Sequence, residues 1–280
     1  MSARGQVAGV GDGGSAVVAE LRRRIAALER QSAVEGAARP ALAFGLAALD
    51  AALPEGGLAR GSLHEILPAA PTAADFAAAT LFAAAVLARA GGPVLWCRTA
   101  ADLFAPALAA VGLSPDRLVH AEAPDGRGVL AAMEEALRHG GLGGVLGETE
   151  RCGLTESRRL QLAAGARGTL ALALLRPPAR AAAAPVPPAP VLPAPALPAS
   201  VPPASVLPAS AAATRWRIGA LPSPEDGMPG LGRALWRVSL TRCRGGAPGE
   251  WIVEAPDAEG RLAVPALVSD RPAAPLAHAG

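Results

Sequence analysis

The sequence predicts an α/β fold in which helices cover both faces of a mostly parallel sheet, with a C-terminal antiparallel hairpin at the edge. Residues 42–176 alternate between continuous apolar runs of strand length and longer runs of helix length. After a Pro/Ala-rich stretch, apolar and polar residues alternate one by one, which is typical of strands with one solvated face. The chain has 280 residues, 51% of them hydrophobic, so one good-sized core and additional segments are expected.

The alternating region predicts the parallel part of the sheet. Strands are predicted at 62–67, 92–98, 117–122, 143–148 and 169–175, and helices at 72–90, 101–112, 126–140 and 155–167. The helix at 72–90 is apolar on nearly every side, so it should be buried. Strands that are apolar throughout and separated by helices indicate a parallel sheet, because each crossover helix covers a face.

The period-two segments predict the antiparallel part. They are "RWRI" (215–218), "LWRVSLTRCR" (235–244) and "EWIVE" (250–254). In each segment tryptophan and aliphatic residues alternate with polar ones. A hairpin alone is only marginally stable in water, so these strands should extend the same sheet.

Composition divides the chain into six segments. The predicted segments are a disordered 1–15, an N-terminal helix and connector at 16–40, an α/β core at 41–176, a Pro/Ala-rich linker or insertion at 177–213, strands completing the core at 214–255, and a loose tail at 256–280. The N-terminal helix has one apolar stripe with arginines outside it. It either packs on the main domain or binds a partner or DNA.

The net charge and the cysteine content restrict the possible binding partners and the cellular compartment of the protein. The formal net charge is +2, so bulk charge gives no argument for nucleic-acid binding. Cys97, Cys152 and Cys243 lie far apart in the sequence, which favours a reducing compartment and argues against both disulfides and a cysteine zinc site. No apolar signal segment is visible, and the longest uncharged helical run is shorter than a bilayer span requires. We therefore predict a cytoplasmic protein, with association to the nucleoid as an alternative.

The loop after the first predicted strand lacks the residues of a phosphate-binding loop. Such a loop needs glycines, a lysine and a Ser or Thr. Here Pro68 and Pro71 remove two backbone donors, no glycine lies between residues 62 and 90, and the chain contains no lysine. Thr72 and Asp75 match the spacing of a capping box, and Asp75 would repel a phosphate. The sequence predicts no nucleotide cofactor here, with a residual site built from arginines as the alternative.

Arginines are the remaining candidates for a binding surface. Arg215, Arg217 and Arg237 share the polar side of the predicted C-terminal strands, and Arg242 and Arg244 flank their turn. Arginines on an exposed strand can bind phosphates bidentately, so DNA contact and partner contact are both open. A solvated edge that discourages strand aggregation is the third interpretation.

No pattern predicts a catalytic centre or a metal site. His64 and Glu65 begin an H-E-x-x-H motif, but Pro68 stands at the place of the second histidine. No G-x-S-x-G motif occurs, and no Ser or Cys has a readable base partner.

The segment "ALAFGLAALDAALPEGGLARGSLHEIL" (41–67) resembles the beginning of a RecA-superfamily core. In that superfamily, G-x-x-x-L-D followed by G-G-[LI]-x-x-G leads into the strand before the phosphate loop. The matching residues are Gly45, Leu49, Asp50, Gly56, Gly57 and Gly61. More narrowly, "LARGSLHEI", "GPVLWC", "DLFAPALAAVGLSPDRL", "AMEEALRHGGLGGVLGE", "LTESRRLQLAA" and "GLGRALWRVSLTRCRGGAPGEW" resemble the ImuA family, in the right order, across 42–176 and 214–254.

This resemblance implies a RecA-like fold and a role in DNA damage tolerance through induced mutagenesis and translesion synthesis. The implied partners are an inactive ImuB-like polymerase homologue and an error-prone DnaE-type polymerase. Catalytic residues do not carry over. The catalytic Glu position falls near Ala100, where no carboxylate stands, and the magnesium-associated Asp position falls at Glu148. We therefore expect a non-catalytic adaptor. The alternatives are a DNA-dependent ATPase that uses arginines and a direct RecA-binding modulator.

Overall fold

The structure, a computed structural model, describes residues 40–176, 209–222 and 233–265. Within these residues, eight strands form one sheet. The strands are β1 (Leu63–Pro68), β2 (Val94–Arg98), β3 (Leu118–Glu122), β4 (Gly144–Thr149), β5 (Leu170–Leu175), β6 (Thr214–Leu221), β7 (Leu235–Cys243) and β8 (Gly249–Glu254). Their order across the sheet is β3-β2-β4-β5-β1-β6-β7-β8.

The sheet is parallel from β3 to β6 and antiparallel beyond β6. β1 pairs in parallel with β5 and β6, β2 with β3 and β4, and β4 with β5. β7 pairs antiparallel with β6 and with β8. The predicted mostly parallel sheet with antiparallel C-terminal strands is confirmed, with one correction: β6 is itself parallel to β1. A period-two pattern reports which side of a strand is solvated and not the direction of the strand.

Five α-helices lie within the described residues, the first before β1 and the other four between strands. They are α1 (Ala47–Asp50), α2 (Ala73–Ala90), α3 (Ala105–Ala110), α4 (Gly126–His139) and α5 (Leu154–Arg167), and a 3₁₀ turn spans Pro115–Arg117. α3 is shorter than the predicted helix at 101–112. It begins next to Pro106, because proline is tolerated in the first turn of a helix and not further inside.

Helices cover both faces of the parallel strands, as predicted. α2 lies on one face, where Phe82 meets Phe44 and Trp216 at ring-centroid distances of 5.7 and 5.9 Å. α4 and α5 lie on the other face, with Met133 and Leu160 in its core. α2 is the one described helix that is long and apolar enough to cross a membrane, with a mean hydropathy of 1.5. Its packing against the sheet accounts for that composition.

The segment before β1 is closed by a carboxylate. Asp50 accepts hydrogen bonds from the backbone N–H of Phe44 at 2.6 Å and of Gly45 at 2.9 Å. Gly45 has φ +81°, a conformation that favours glycine. This turn places the Phe44 ring 5.3 Å from Trp216 in the core.

Several predicted segments fall largely outside the described residues. These are the disordered 1–15, the N-terminal helix and connector at 16–40, most of the linker at 177–213 and most of the tail at 256–280. The described parts of the last two segments are packed on the sheet. Ser210 and Ala212 are buried before β6, and the carbonyl of Ala263 accepts from the N–H of Glu254 at 2.8 Å.

Candidate functional site

The candidate site is the edge of the sheet at which the parallel strands end. In open α/β sheets, ligands bind in the crevice outside the carboxyl ends of the strands. The loops after β1, β2, β4 and β5 meet at this edge. The predicted degenerate phosphate loop and the magnesium-associated position are both there. We refer to it as the carboxyl edge.

The first turn of α2 is capped by the chain's own side chains. Thr72 is the N-cap residue, and its Oγ1 accepts from the N–H of Asp75 at 3.2 Å. The Asp75 carboxylate does not return to Thr72, as a full capping box would require. Its Oδ2 accepts from the N–H of Ala70 and its Oδ1 from the N–H of Ala220, each at 2.8 Å. The buried carboxylate therefore ties the loop after β1 to the end of β6.

The backbone donors of this loop are all accounted for between residues 68 and 71. Pro68 and Pro71 have no N–H. The N–H of Ala69 donates to the carbonyl of Ile218 at 2.8 Å, and the N–H of Ala70 donates to Asp75. No residue of the loop has a positive φ. A phosphate nest needs successive free N–H groups in such conformations, so this loop does not fit a phosphate.

An arginine bridges two carboxylates at the same edge. Arg176 follows β5, and its Nη2 lies 2.9 Å from Oδ2 of Asp102 while its Nη1 lies 2.5 Å from Oε2 of Glu148. Nη1 also lies 3.2 Å from Oδ1 of Asp102, which makes that contact bidentate. The guanidinium stands over the Phe76 ring of α2, 5.8 Å from its centroid. Arg176 thus connects the ends of β4 and β5 with the loop after β2 and with α2.

Electrostatics favour this bridge. Hydrogen bonding from Arg176 lowers the pKa of Asp102 below its ordinary value. Burial works to lower the pKa of Arg176, but the two carboxylates raise it above its ordinary value. Glu148 is 5% exposed, and its second oxygen, Oε1, accepts from Nε1 of Trp96 at 2.6 Å. Both of its oxygens are therefore engaged within the protein.

A second arginine contributes to the charge at this edge. Arg98 ends β2, and its Nη2 lies 3.3 Å from Oε1 of Glu122 on the neighbouring strand β3. Its Nε and Nη1 are buried and have no hydrogen-bond partner among the described atoms. The positive charge of Arg98 adds to the lowering of the Asp102 pKa, after the larger effect of Arg176.

The residues at the carboxyl edge do not fit the magnesium nucleotide that a RecA-like catalytic core implies. A divalent cation needs free oxygen ligands, and those of Glu148 are taken by Arg176 and Trp96. The guanidinium would repel a cation placed between the two carboxylates. Among the described residues, no group of three or more His, Cys, Asp or Glu side chains is placed to hold a metal ion.

Three of the five candidate arginines bind other groups of the chain near the start of β6. Nε of Arg215 lies 2.6 Å from Oε2 of the fully buried Glu65. Arg242 donates to the carbonyl of Ser210, and Arg244 donates to the carbonyl of Ala211 at 2.7 Å. These contacts hold the segment that leads into β6.

The other two candidate arginines lie on the outward face of β6 and β7. Arg217 is in register with Ser239, which is in turn in register with Glu250 on β8. Arg237 is in register with Ile252, and its Nε lies 3.5 Å from Oε1 of Glu250. Basic, acidic and apolar side chains are thus mixed on this face.

The chain is similar to known proteins both in sequence and in fold. No family model matches the sequence. Protein ImuA from two strains of Caulobacter vibrioides is 37% identical to it over 225 residues, which cover 78% of this chain and 85% of the relative. The chain belongs to the ImuA family.

The fold of this ImuA-family chain is RecA-like. The crystal structure of the RadB recombinase superposes with a TM-score of 0.53 at 15% sequence identity, covering 80% of this chain and 100% of RadB. At this identity the likeness concerns the fold alone. Both parts of the predicted resemblance, RecA-like fold and ImuA family, are thereby confirmed.

Sequence reasoning missed the bridge formed by Arg176. It recorded no carboxylate near Ala100, yet Asp102, two residues later, reaches the carboxyl edge. It also did not single out Arg176, Trp96 or Arg98. Asp102 and Arg176 each follow a predicted parallel strand, and that position was the available indication.

Proposed function

We propose that this ImuA-family chain is a non-catalytic RecA-like accessory protein in DNA damage tolerance. It acts in the cytoplasm as an adaptor with an ImuB-like polymerase homologue and an error-prone DnaE-type polymerase during induced mutagenesis. The observation that carries the non-catalytic part is the state of the carboxyl edge, where Asp75 and Arg176 engage the groups that a magnesium nucleotide would need. Family membership supports the pathway.

Several parts required for ATP hydrolysis are compromised together. Phosphoryl transfer relies on a cradle for the phosphates, a cation that bridges them and a group that positions the attacking water. The loop at 68–71 has no free N–H, and the chain has no lysine. Glu148 and Asp102, two of the carboxylates at this edge, are paired with Arg176. An arginine-based ATPase is disfavoured because Arg176 is itself held by these two carboxylates.

The outward face of β6, β7 and β8 supports partner contact more than DNA contact. A DNA-binding surface is strongly basic, because it neutralises phosphates. Here Glu250 pairs with Arg237, Ser239 stands between Glu250 and Arg217, and Ile252 is half exposed beside Arg237. Arginine is enriched in protein–protein interfaces, and the half-exposed Ile252 adds apolar surface that a protein partner could cover.

The test is recovery of partners from DNA-damaged cells with the full chain as bait. We expect the ImuB-like protein or the error-prone polymerase to be retained and identified by mass spectrometry. Charge reversal in the double variant Arg217→Glu/Arg237→Glu should reduce retention at least about tenfold, as expected for losing central interface contacts. Arg158→Glu, on the exposed side of α5, is the matched control and should retain the same partners as the wild-type chain.

Two outcomes would contradict the proposal. Retention of RecA or of septum proteins in place of the polymerases would place the chain in a different process. ATP turnover by the purified chain well above background would contradict the non-catalytic role.

A further inference from the structure

We infer that the chain carries internal substitutes for both charges of a magnesium nucleotide, with the Asp75 carboxylate in the place of a phosphate and the Arg176 guanidinium in the place of the cation. The inference rests on the proposed non-catalytic role and deepens it. It assigns the carboxyl edge a single conformation that does not depend on any nucleotide.

Asp75 makes the contacts of a bound anion. In phosphate-binding loops, backbone N–H groups beside a helix N-terminus point at an oxyanion. Here the N–H groups of Ala70 and Ala220 point at the two oxygens of Asp75, in the first turn of α2. The anion is covalently attached and buried, and it lies in the first turn of α2, where the helix dipole favours a negative charge.

Arg176 makes the contacts of a bound cation. It lies between the carboxylate of Asp102 in the loop after β2, at 2.9 Å, and the carboxylate of Glu148 on β4, at 2.5 Å. A planar guanidinium pairs with carboxylates bidentately and is always charged, so it can replace a metal ion permanently. The Phe76 ring on α2 provides the remaining side of its surroundings.

Together the two residues join the elements that meet at the carboxyl edge. Asp75 connects the loop after β1 with α2 and the end of β6. Arg176 connects β4, β5, the loop after β2 and α2. A ligand can shift a conformational equilibrium only through contacts that differ between states, and these contacts are already made. The surfaces of the protein should therefore be the same with and without nucleotide.

The test measures thermal unfolding of the full chain with and without an excess of Mg²⁺-ATP or Mg²⁺-ADP. A ligand present at about a hundredfold its Kd stabilises a domain of this size by several degrees. For the wild type we expect no shift above about 1 °C, since neither the anion nor the cation position is open. Arg176→Met and Asp75→Ala should each unfold about 5 °C or more below the wild type, because each leaves buried polar groups without partners.

Two further variants distinguish the loss of stability caused by breaking the Arg176 bridge from the effect of removing any arginine. Arg158→Met removes an exposed arginine on α5 and should unfold within about 1 °C of the wild type. Glu148→Gln combined with Arg176→Met should lose less than the sum of the two single changes, because the two residues share one contact.

The inference is overturned if Mg²⁺-nucleotide raises the unfolding temperature of the wild type by several degrees. It is also overturned if Arg176→Met and Asp75→Ala have the same unfolding temperature as the wild type. None of these measurements contains a partner protein. The unfolding results can therefore contradict this inference while the partners are still retained, and the partners can be lost while the unfolding results agree with it.

Discussion

The ion pair between Arg215 and Glu65 should make Arg215 a stability residue and not a binding residue. Nε of Arg215 lies 2.6 Å from Oε2 of Glu65, and the two side chains are 12% and 0% exposed. Arg215→Met keeps the aliphatic stem but leaves the buried carboxylate without this partner. Breaking a buried pair in this way costs about 3–5 kcal/mol of unfolding free energy.

Urea denaturation of the full chain measures this cost. A denaturant slope of about 1–3 kcal/mol per molar converts the loss into a fall of roughly 1–5 M in the midpoint. Arg217→Met, two residues along the same face of β6, is the control and should cost less than about 1 kcal/mol. The double variant Glu65→Gln/Arg215→Met should lose less than the sum of the singles. An Arg215→Met protein with the wild-type midpoint would refute this reasoning.

Three other expectations concern helix capping, pH and thiol access. Thr72→Ala removes the N-cap of α2 and should cost about 1 kcal/mol in urea denaturation, whereas Thr72→Ser should restore most of it. Burial lowers the pKa of His64 to about 4, below its unfolded value, so this group's contribution to stability is complete above pH about 6.5 and is lost as the pH falls toward 4. The loss should approach about 3 kcal/mol in urea denaturations run between pH 7 and pH 4, and a protein whose stability stayed the same over this range would contradict it. A thiol reagent should modify Cys243 in the folded chain well before Cys97, whose pKa burial raises to about 11.

The strands and helices around the sheet were predictable because each one has a local pattern of apolar and polar residues. The apolar run at 143–148 became β4 with a shift of one residue, and the apolar helix at 72–90 became α2. The direction of β6 was not predictable, because its period-two pattern is the same in parallel and antiparallel strands.

The candidate site divides in the same way between local and long-range contacts. The Thr72 cap spans three residues and is visible as a sequence motif. The second acceptor contact of Asp75 joins it to Ala220, 145 residues later, and nothing in the sequence around Asp75 indicates it. Arg176 and Asp102 are 74 residues apart and meet only because parallel strands end at one edge.

The buried Glu65 is the strongest case of a residue that sequence alone leaves unexplained. A carboxylate in an apolar strand requires a partner, and the sequence names none. The parallel register of β1 and β6 places Arg215 directly opposite Glu65. The Ser210 hydroxyl donates to the other carboxylate oxygen of Glu65, Oε1, at 2.5 Å. Register between distant strands therefore decided which of the predicted arginines are structural.

The most direct test of the account is the affinity of the purified full chain for the ImuB-like protein, measured with and without Mg²⁺-ATP. The account predicts binding with the same Kd, within about twofold, in both conditions, because the carboxyl edge is already filled by Asp75 and Arg176. Binding that strengthens or weakens about tenfold or more with Mg²⁺-ATP, or no binding in either condition, would contradict it.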